Sequence, residues 1–99
     1  MFAIHIGSSV RLVSFDELIS AELKCRTILY TLADGSVIRT PTIRNSFKTE
    51  VAALLAHEQF VQCSVSSVVN LRYVRCLEKN CLFLLDGRQI SISRQAGAG

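Results

Sequence analysis

Residues 60–74 read FVQCSVSSVVNLRYV. Apolar and hydroxyl side chains run together in this segment as far as Asn70, and two arginines, Arg72 and Arg75, follow. No acidic residue lies between Gln59 and Leu77. A weakly polar segment of this kind is compatible with a core strand, with a groove for a partner chain, or with an edge that contacts nucleic acid while other segments supply the positive charge.

The composition of the whole chain indicates one folded domain. Its 99 residues suffice for a single modest core, and with 49% hydrophobic and 19% charged residues the chain is not of the disordered class. No apolar segment approaches the roughly 18 residues that cross a bilayer. The N-terminus lacks the basic flank and the continuous apolar region of a signal peptide. We therefore expect a single cytoplasmic domain over residues 1–99, with residues 94–99 as a frayed tail.

The positive charge is concentrated in the C-terminal half. The net charge is +3, from eleven Lys and Arg against eight Asp and Glu. After Glu58 the only acidic residues are Glu78 and Asp86. The basic residues of the same region are Arg72, Arg75, Lys79, Arg88 and Arg94. This distribution favours a polyanionic partner, although an ordinary solvated surface can carry the same charges.

The cysteines do not form a recognisable metal-binding pattern. They are Cys25, Cys63, Cys76 and Cys81. Only the last two have a short spacing, C-x4-C, and no second pair or histidine completes a zinc site. We expect the four thiols to act as small packing residues.

Most of the chain has the pattern of short strands. The pairs Asp34-Gly35 and Asp86-Gly87 each lie between β-branched or apolar runs, which is a strong hairpin signal because glycine accepts a positive φ. A third hairpin is expected at residues 78–80. In residues 45–56 the spacing changes to that of an amphipathic helix, with Asn45 or Ser46 as the N-cap. Its apolar face comprises Phe47, Val51, Leu54 and Leu55.

The predicted fold class is therefore mainly β. We expect antiparallel strands in small packed sheets, in the order four strands, one short amphipathic α-helix over about residues 45–56, and three strands. Catalytic motifs such as a phosphate-binding glycine loop, HExxH or GxSxG are absent from the sequence. Cys63 would act as a nucleophile only with His5 or His57 within reach. An enzyme, a cofactor and a small-molecule substrate are accordingly not expected.

A binding function fits the residues better, because loops held by sheets usually make specific contacts. Candidate contact segments are the basic turn at residues 23–26, the serine-rich residues 60–74, and the strand end at residues 91–94, which finishes on an arginine. Each segment alone also has a purely structural explanation, as a solvated turn, a core strand or a polar strand end. Their combination favours a nucleic-acid contact.

Three segments together resemble the LytTR family of DNA-binding domains. Residues 60–74 are similar to the family pattern F-x-R-x-H-R-S-x-I-V-N-L-x-x-I. LLDGRQISISR at residues 84–94 is similar to L-x-D-G-x-x-I-P-I-S-R. DELISAELKCRTILYTLADG at residues 16–35 is similar to D-x-I-x-Y-I-E-x-x-x-x-x-I-x-x-H-x-x-D-G. The likeness extends from about Ile4 to Arg94, and the predicted helix falls where the family has one.

The resemblance implies the output domain of a bacterial response regulator that binds double-stranded promoter DNA. In the family, loops and strand ends enter successive major grooves, often in dimers. Carried over to this chain, it implies DNA contacts from Lys24, Arg26, Ser64, Val65, Ser66 and Arg94. Arg26 and Arg94 would contact bases, and Lys24, Arg72 and Arg75 would contact phosphates. No membrane association is implied.

The chain departs from the family pattern in the segment R-x-H-R-S, which here is Gln62-Cys63-Ser64-Val65-Ser66. An arginine that contacts guanine with two hydrogen bonds contributes roughly 1–3 kcal/mol of base discrimination, whereas valine offers only an apolar contact to a thymine methyl group. Asn70 is expected to hold backbone in place. An alternative function follows from the departure: the fold is kept, DNA recognition is lost, and the domain serves protein interaction or dimerisation.

Overall fold

The computed structural model describes residues 1–92 of the chain. The predicted base-contacting residue Arg94 and the predicted tail at residues 94–99 lie outside the described residues. The described strands are β1 (Phe2–Ile6), β2 (Ser9–Val13), β3 (Leu18–Lys24), β4 (Thr27–Leu32), β5 (Val37–Arg39), β6 (Phe60–Ser64), β7 (Ser67–Asn70), β8 (Val74–Glu78), β9 (Cys81–Leu84) and β10 (Gln89–Ser91). Two short helices, α1 (Phe47–Glu50) and α2 (Ala52–Leu55), and two 3₁₀ turns, Phe15–Glu17 and Leu71–Tyr73, complete the elements of this region.

The strands form three antiparallel sheets, which confirms the predicted fold class. The largest sheet has the order β5-β4-β3-β7-β6, with β3 at its centre. Strands β1 and β2 form a separate hairpin, and β10, β9 and β8 form a three-stranded sheet in that order. The Asp-Gly turns join β4 to β5 and β9 to β10, and residues 79–80 join β8 to β9, as the sequence predicts.

The predicted number of strands is wrong. Five described strands precede the helices and five follow them, instead of four and three. The main omission is the hairpin of β6 and β7, which turns at Val65-Ser66. This turn contains no Gly, Pro, Asn or Asp, and serine, which it does contain, is a weaker signal of a turn.

The predicted helix over residues 45–56 is divided into α1 and α2. Val51 lies between them with φ −103° and ψ 12°, outside the helical region. Ser46 is the N-cap, and its hydroxyl accepts a hydrogen bond from the Thr49 backbone at 3.2 Å. Phe47, Val51 and Leu54 are buried and Leu55 is partly buried, so the predicted apolar face is confirmed.

Apolar side chains pack on both faces of the five-stranded sheet. The first cluster includes Phe2, Ile4, Leu18, Ala21, Ile28, Tyr30, Phe47, Leu54, Phe60 and Val68, so the helices and the β1–β2 hairpin cover one face. The second cluster contains Ile19, Cys63, Val69, Leu82, Leu84 and Ile90, so the three-stranded sheet covers the other. Strands β3 and β7 contribute to both clusters and join them into one fold.

The expectation that all four cysteines are packing residues is wrong for two of them. Cys63 is buried and Cys81 is half-buried, but Cys25 and Cys76 are exposed, and all four are free thiols. Cys25 lies in a hairpin turn and Cys76 on the open side of β8, where neither has a core to fill. Within residues 1–92 no three His, Cys, Asp or Glu side chains are placed to hold a metal ion.

Candidate nucleic-acid interface

The turn between β3 and β4 consists of Cys25 and Arg26, which we call the first tip. Both residues have a positive φ, 50° and 62°, as a two-residue hairpin turn of the primed type requires. Neither is the glycine or asparagine that usually occupies such a position. Lys24 ends β3 and is exposed beside the tip, and its carbonyl accepts a hydrogen bond from the Thr27 hydroxyl at 2.7 Å. The basic turn predicted from sequence is therefore a tight and well-anchored projection.

The turn between β6 and β7 consists of Val65 and Ser66, which we call the second tip. Its serines are hydrogen-bonded to one another: the hydroxyls of Ser64 and Ser67 are 2.8 Å apart, and the Ser66 backbone donates to the Ser64 hydroxyl at 3.2 Å. Val65 projects away from this network and is 68% exposed. An exposed valine at a hairpin turn, with no cluster to fill, is available for an apolar contact with a partner.

The two tips lie side by side at one end of the five-stranded sheet. The backbone amide of Leu23, near the end of β3, donates to the carbonyl of Ser66 at 2.8 Å. The four strands that carry the tips are consecutive in the sheet, in the order β4-β3-β7-β6. Since neighbouring strands are about 4.8 Å apart, the centres of the two turns are separated by about two strand spacings, or roughly 10 Å. Two of the three predicted contact segments thus lie at the same end of the five-stranded sheet.

A third segment, which the sequence did not indicate, joins the first tip. The backbone amide of Ile43 donates to the carbonyl of Arg26 at 2.8 Å, and the Arg26 guanidinium donates to the carbonyl of Ile43 at 3.3 Å. This double contact places the exposed Arg44 next to the tip. The contact spans 17 residues, so only the tertiary structure brings the two arginines together.

One of the two predicted phosphate contacts, Arg72, does not lie near the tips. Arg72 follows β7 and pairs with Asp16 at 3.5 Å, just before the start of β3, whereas both tips lie beside the end of β3. Strand β3 has seven residues, and its length of about 20 Å separates Arg72 from the tips. Arg75 is exposed on β8, in the three-stranded sheet.

Arg88 connects the two larger sheets. From the turn between β9 and β10, its guanidinium donates to Glu22 at 2.9 Å and to the Ser20 hydroxyl at 2.6 Å, both on the central strand β3. It also pairs with Asp86 at 3.0 Å. Burial alone would raise the pKa of Asp86, but the hydrogen bonds and the positive charge of Arg88 outweigh it and lower the pKa. In the sequence, Arg88 is recognisable only as one of the basic residues of the C-terminal half.

The two cysteines near the tips have different environments. Cys63 lies in a β-bulge of β6 and faces the second cluster, where burial raises the pKa of its thiol to about 11. Cys25 is exposed in the first tip. A thiol with a pKa of about 11 is a poor nucleophile at neutral pH, so the surroundings of Cys63 do not favour catalysis.

A helix that could span a membrane is not found among residues 1–92. The elements that carry the tips are strands with short turns. Exposed basic side chains and an exposed apolar side chain at one edge are suited to binding.

The comparisons with known proteins agree with this architecture. The model of the LytTr DNA-binding domain family matches residues 8–98. A search of curated proteins found no match. Among solved structures, a LytTr DNA-binding domain of a response regulator from Bacillus cereus is similar, with a TM-score of 0.73 and 17% sequence identity over 98% of this chain and 89% of that chain. At this identity the solved structure shows a common fold. Because the family model matches nearly the whole sequence, the chain belongs to the LytTr DNA-binding domain family.

Proposed function

We propose that the chain is a single domain that binds duplex DNA as the output domain of a bacterial transcriptional regulator. In this proposal the two tips project from one end of the five-stranded sheet into one major groove. The observation that carries it is the hydrogen bond between Leu23 and Ser66, at 2.8 Å, which holds the tips together. Two turns roughly 10 Å apart can lie one after the other along a single major groove, whose width of about 12 Å admits a β-hairpin.

The side chains of the tips have complementary tasks in this proposal. Arg26 keeps several guanidinium N–H groups beyond the one bonded to Ile43, and these suit the acceptors of a guanine edge. Lys24 is suited to a phosphate. Val65 offers an apolar contact for a thymine methyl group, while the hydroxyls of Ser64 and Ser66 lie at its base. Arg94 remains the second proposed base contact.

Arg72 and Arg75 contribute less directly to this proposal. Since Arg72 is paired with Asp16 at the far end of β3, it acts on DNA through the general positive field of the domain. Arg75 has the same role from the three-stranded sheet. Long-range charge of this kind raises the association rate and is screened by salt.

The test is equilibrium binding to labelled duplexes, first selected from a randomised pool and then measured across a salt series. Val65→Glu places a carboxylate at the second tip, and we expect at least a tenfold loss of affinity because the charge opposes the phosphates. The matched control is Val37→Glu on β5, because Val37 is similarly exposed, at 55% against 68% for Val65. Val37 is the register partner of Thr31, near the end of β4 that lies away from the tips.

The double variant Arg26→Ala and Arg94→Ala tests the two proposed base contacts. We expect it to lose most of the preference for the selected sequence, with a smaller loss on random duplex. Equal affinity of Val65→Glu and the wild-type chain for the selected duplex would reject the placement of the second tip in the groove. An unchanged preference in the double variant would reject the assignment of the two arginines.

A second function, protein interaction or dimerisation without DNA recognition, has one observation in its favour. Val10 and Leu12 of β2 are 53% and 61% exposed and lie on the outer side of the β1–β2 hairpin. Together with the loss of the family's basic residues at Gln62, Ser64 and Val65, this surface fits a module that associates through β2. Sedimentation of the chain without DNA separates the two functions: a stable dimer that binds no duplex at low salt supports the second.

A further inference from the structure

The loop after β5 is fixed against the first tip by its own hydrogen bonds. Thr40 is buried; its backbone amide donates to the carbonyl of Ile28 at 3.0 Å, and its hydroxyl accepts from the Ile28 amide at 2.9 Å. The two bonds between Ile43 and Arg26 then continue this attachment to the end of the sheet. The position of Arg44 is therefore set by the fold and does not require a partner.

A cleft of about 300 Å³ opens between this loop and the first tip. It is lined by Leu23 of β3, Arg26 of the tip, and residues 43–47, and none of these carries a carboxylate. Within residues 1–92, neither Arg26 nor Arg44 takes part in an ion pair; the pairs found there involve Arg72 and Arg88. Two guanidinium groups that line one cleft without an ion pair favour binding of an anion there, although Arg44 also lines a neighbouring cavity that contains Glu50.

The anion is a phosphodiester of the DNA backbone if the first tip lies in the major groove. A guanidinium matches two phosphate oxygens with two parallel N–H donors. This fit gives a geometric reason for an arginine to be held in place beside the first tip. The cleft lies beside the tip and not at its end, so the backbone that borders the groove is the part of the duplex within reach. The polar rim, from Asn45 and Ser46, supplies further hydrogen-bonding groups.

We propose that Arg44 is a phosphate-anchoring residue: the cleft between the loop at residues 40–46 and the first tip binds one backbone phosphate of the strand that flanks the contacted bases. This proposal rests on the proposed function, because it presumes that the first tip faces duplex DNA. Arg44 contributes affinity for any duplex and fixes the orientation of the domain. The preference for particular bases comes from the tips.

The test compares Arg44→Ala with the wild-type chain on the selected duplex and on a random duplex over a salt series. We expect the same loss of affinity on both duplexes and a log–log salt slope that is smaller by about 0.9, the value for one lost phosphate contact on duplex DNA. Arg44→Lys keeps the charge, so its slope stays near that of the wild-type chain.

The matched control is Arg11→Ala. Arg11 is exposed on β2, and its charge helps the hydrogen bonds from Ser36 to lower the pKa of Asp34, which places it near the turn between β4 and β5 at the opposite end of the sheet. It removes the same charge from the chain, and we expect its slope to remain that of the wild-type chain. Thermal unfolding of each variant establishes that the fold is retained.

A second experiment identifies the phosphate itself. Duplexes that carry one neutral methylphosphonate, moved along each strand in turn, are titrated with the wild-type chain and with Arg44→Ala. We expect one position on the flanking strand at which the methylphosphonate lowers the affinity of the wild-type chain but not that of Arg44→Ala. The variant has already lost the contact with that phosphate.

The outcomes separate this proposal from the proposed function. If Val65→Glu loses DNA binding while Arg44→Ala keeps the wild-type slope, the anchoring role is wrong and the proposed function stands. If Arg44→Ala lowers affinity on the selected duplex only, Arg44 contacts a base and the proposal is likewise wrong. A wild-type chain without affinity for any duplex overturns both.

Discussion

Asn70 is a fully buried polar side chain at the end of β7. Its amide nitrogen donates to the carbonyls of Leu18 at 2.9 Å and Phe15 at 3.2 Å, and its oxygen accepts from the amide of Arg72 at 2.9 Å. These three bonds satisfy backbone groups in two segments that are distant in sequence. The prediction that Asn70 holds backbone in place is confirmed, and the residue is too enclosed to contact a base.

Replacement of Asn70 by alanine should reduce the free energy of unfolding by about 2–4 kcal/mol, because it leaves buried backbone groups without partners. Urea unfolding followed by circular dichroism measures the change. The matched control is Asn45→Ala, because Asn45 is exposed; we expect its effect to stay within about 0.5 kcal/mol. Equal effects of the two substitutions would contradict the assigned role of Asn70.

The thiols of Cys25 and Cys63 should react at very different rates. The pKa of Cys63 is raised to about 11 by burial, so little thiolate forms at neutral pH, and its labelling should accelerate only as the pH approaches that value. We expect maleimide at pH 7.5 to label the exposed Cys25 at least about 100-fold faster. Peptide mass spectrometry measures both rates, with Cys25→Ser as the control for the fast site. Fast labelling of Cys63 in the folded chain would show that the second cluster opens readily.

For single residues, the sequence predicts burial correctly where the signal is local. Phe47 and Leu54 were identified as core because helical spacing alone defines the apolar face. The environments of Cys25 and Cys63 could not be told apart, because both cysteines lie in short segments without periodic spacing. Cys25 is exposed because it lies in a hairpin turn, whereas Cys63 is buried because of the sheet face that it occupies, which a bulge in β6 sets.

Among the elements, the hairpins divide according to their turn chemistry. The Asp-Gly turns were predicted because glycine at positions 35 and 87, with φ 91° and 93°, is the residue that such turns require. The second tip has neither glycine nor asparagine, and its turn is maintained by the Ser64–Ser67 hydroxyl contact and by pairing with β3. The serine-rich composition and the likeness to a family both indicate a binding function for that segment, but neither specifies a turn.

Arg88 adds polar contacts between the three-stranded and five-stranded sheets to their apolar packing. Arg88→Ala should lower the free energy of unfolding by about 1–3 kcal/mol, because Glu22 and the buried Ser20 lose a charged partner. The matched control is Arg75→Ala in the same sheet, because Arg75 is exposed; we expect a change within about 0.5 kcal/mol. Denaturant unfolding measures the free energy of unfolding of both variants. If Arg88→Ala leaves that free energy unchanged, apolar packing alone joins the sheets.

The whole molecule should unfold in one step, although it has two apolar clusters. Both clusters use β3 and β7, so neither can lose its packing without exposing the other. The chain has two tyrosines: Tyr30 lies in the first cluster, and Tyr73 packs against the second. After incorporation of 3-fluorotyrosine, we expect the two fluorine signals to show the same urea midpoint. Distinct midpoints would reveal two separately folding parts.

The arrangement of the whole molecule was the part least accessible from sequence. Composition and turn signals indicate a β domain. However, the ion pair of Arg88 with Glu22 spans 66 residues, and the hydrogen bond of Arg26 to Ile43 spans 17. No periodic pattern encodes contacts of that kind. The order β4-β3-β7-β6 places the two tips at one end of the sheet, and neither this placement nor the position of Arg72 at the far end could be foreseen without that order.

The backbone pairing between β3 and β7 has a consequence for how the specificity of such a domain can change. The lateral distance between the tips depends on strand spacing and not on the identity of any side chain. At a rise of about 3.4 Å per base pair, roughly 10 Å corresponds to about three base-pair steps. A relative with different tip residues would prefer other base pairs, yet the distance along the DNA between the base pairs that its two tips contact would stay the same.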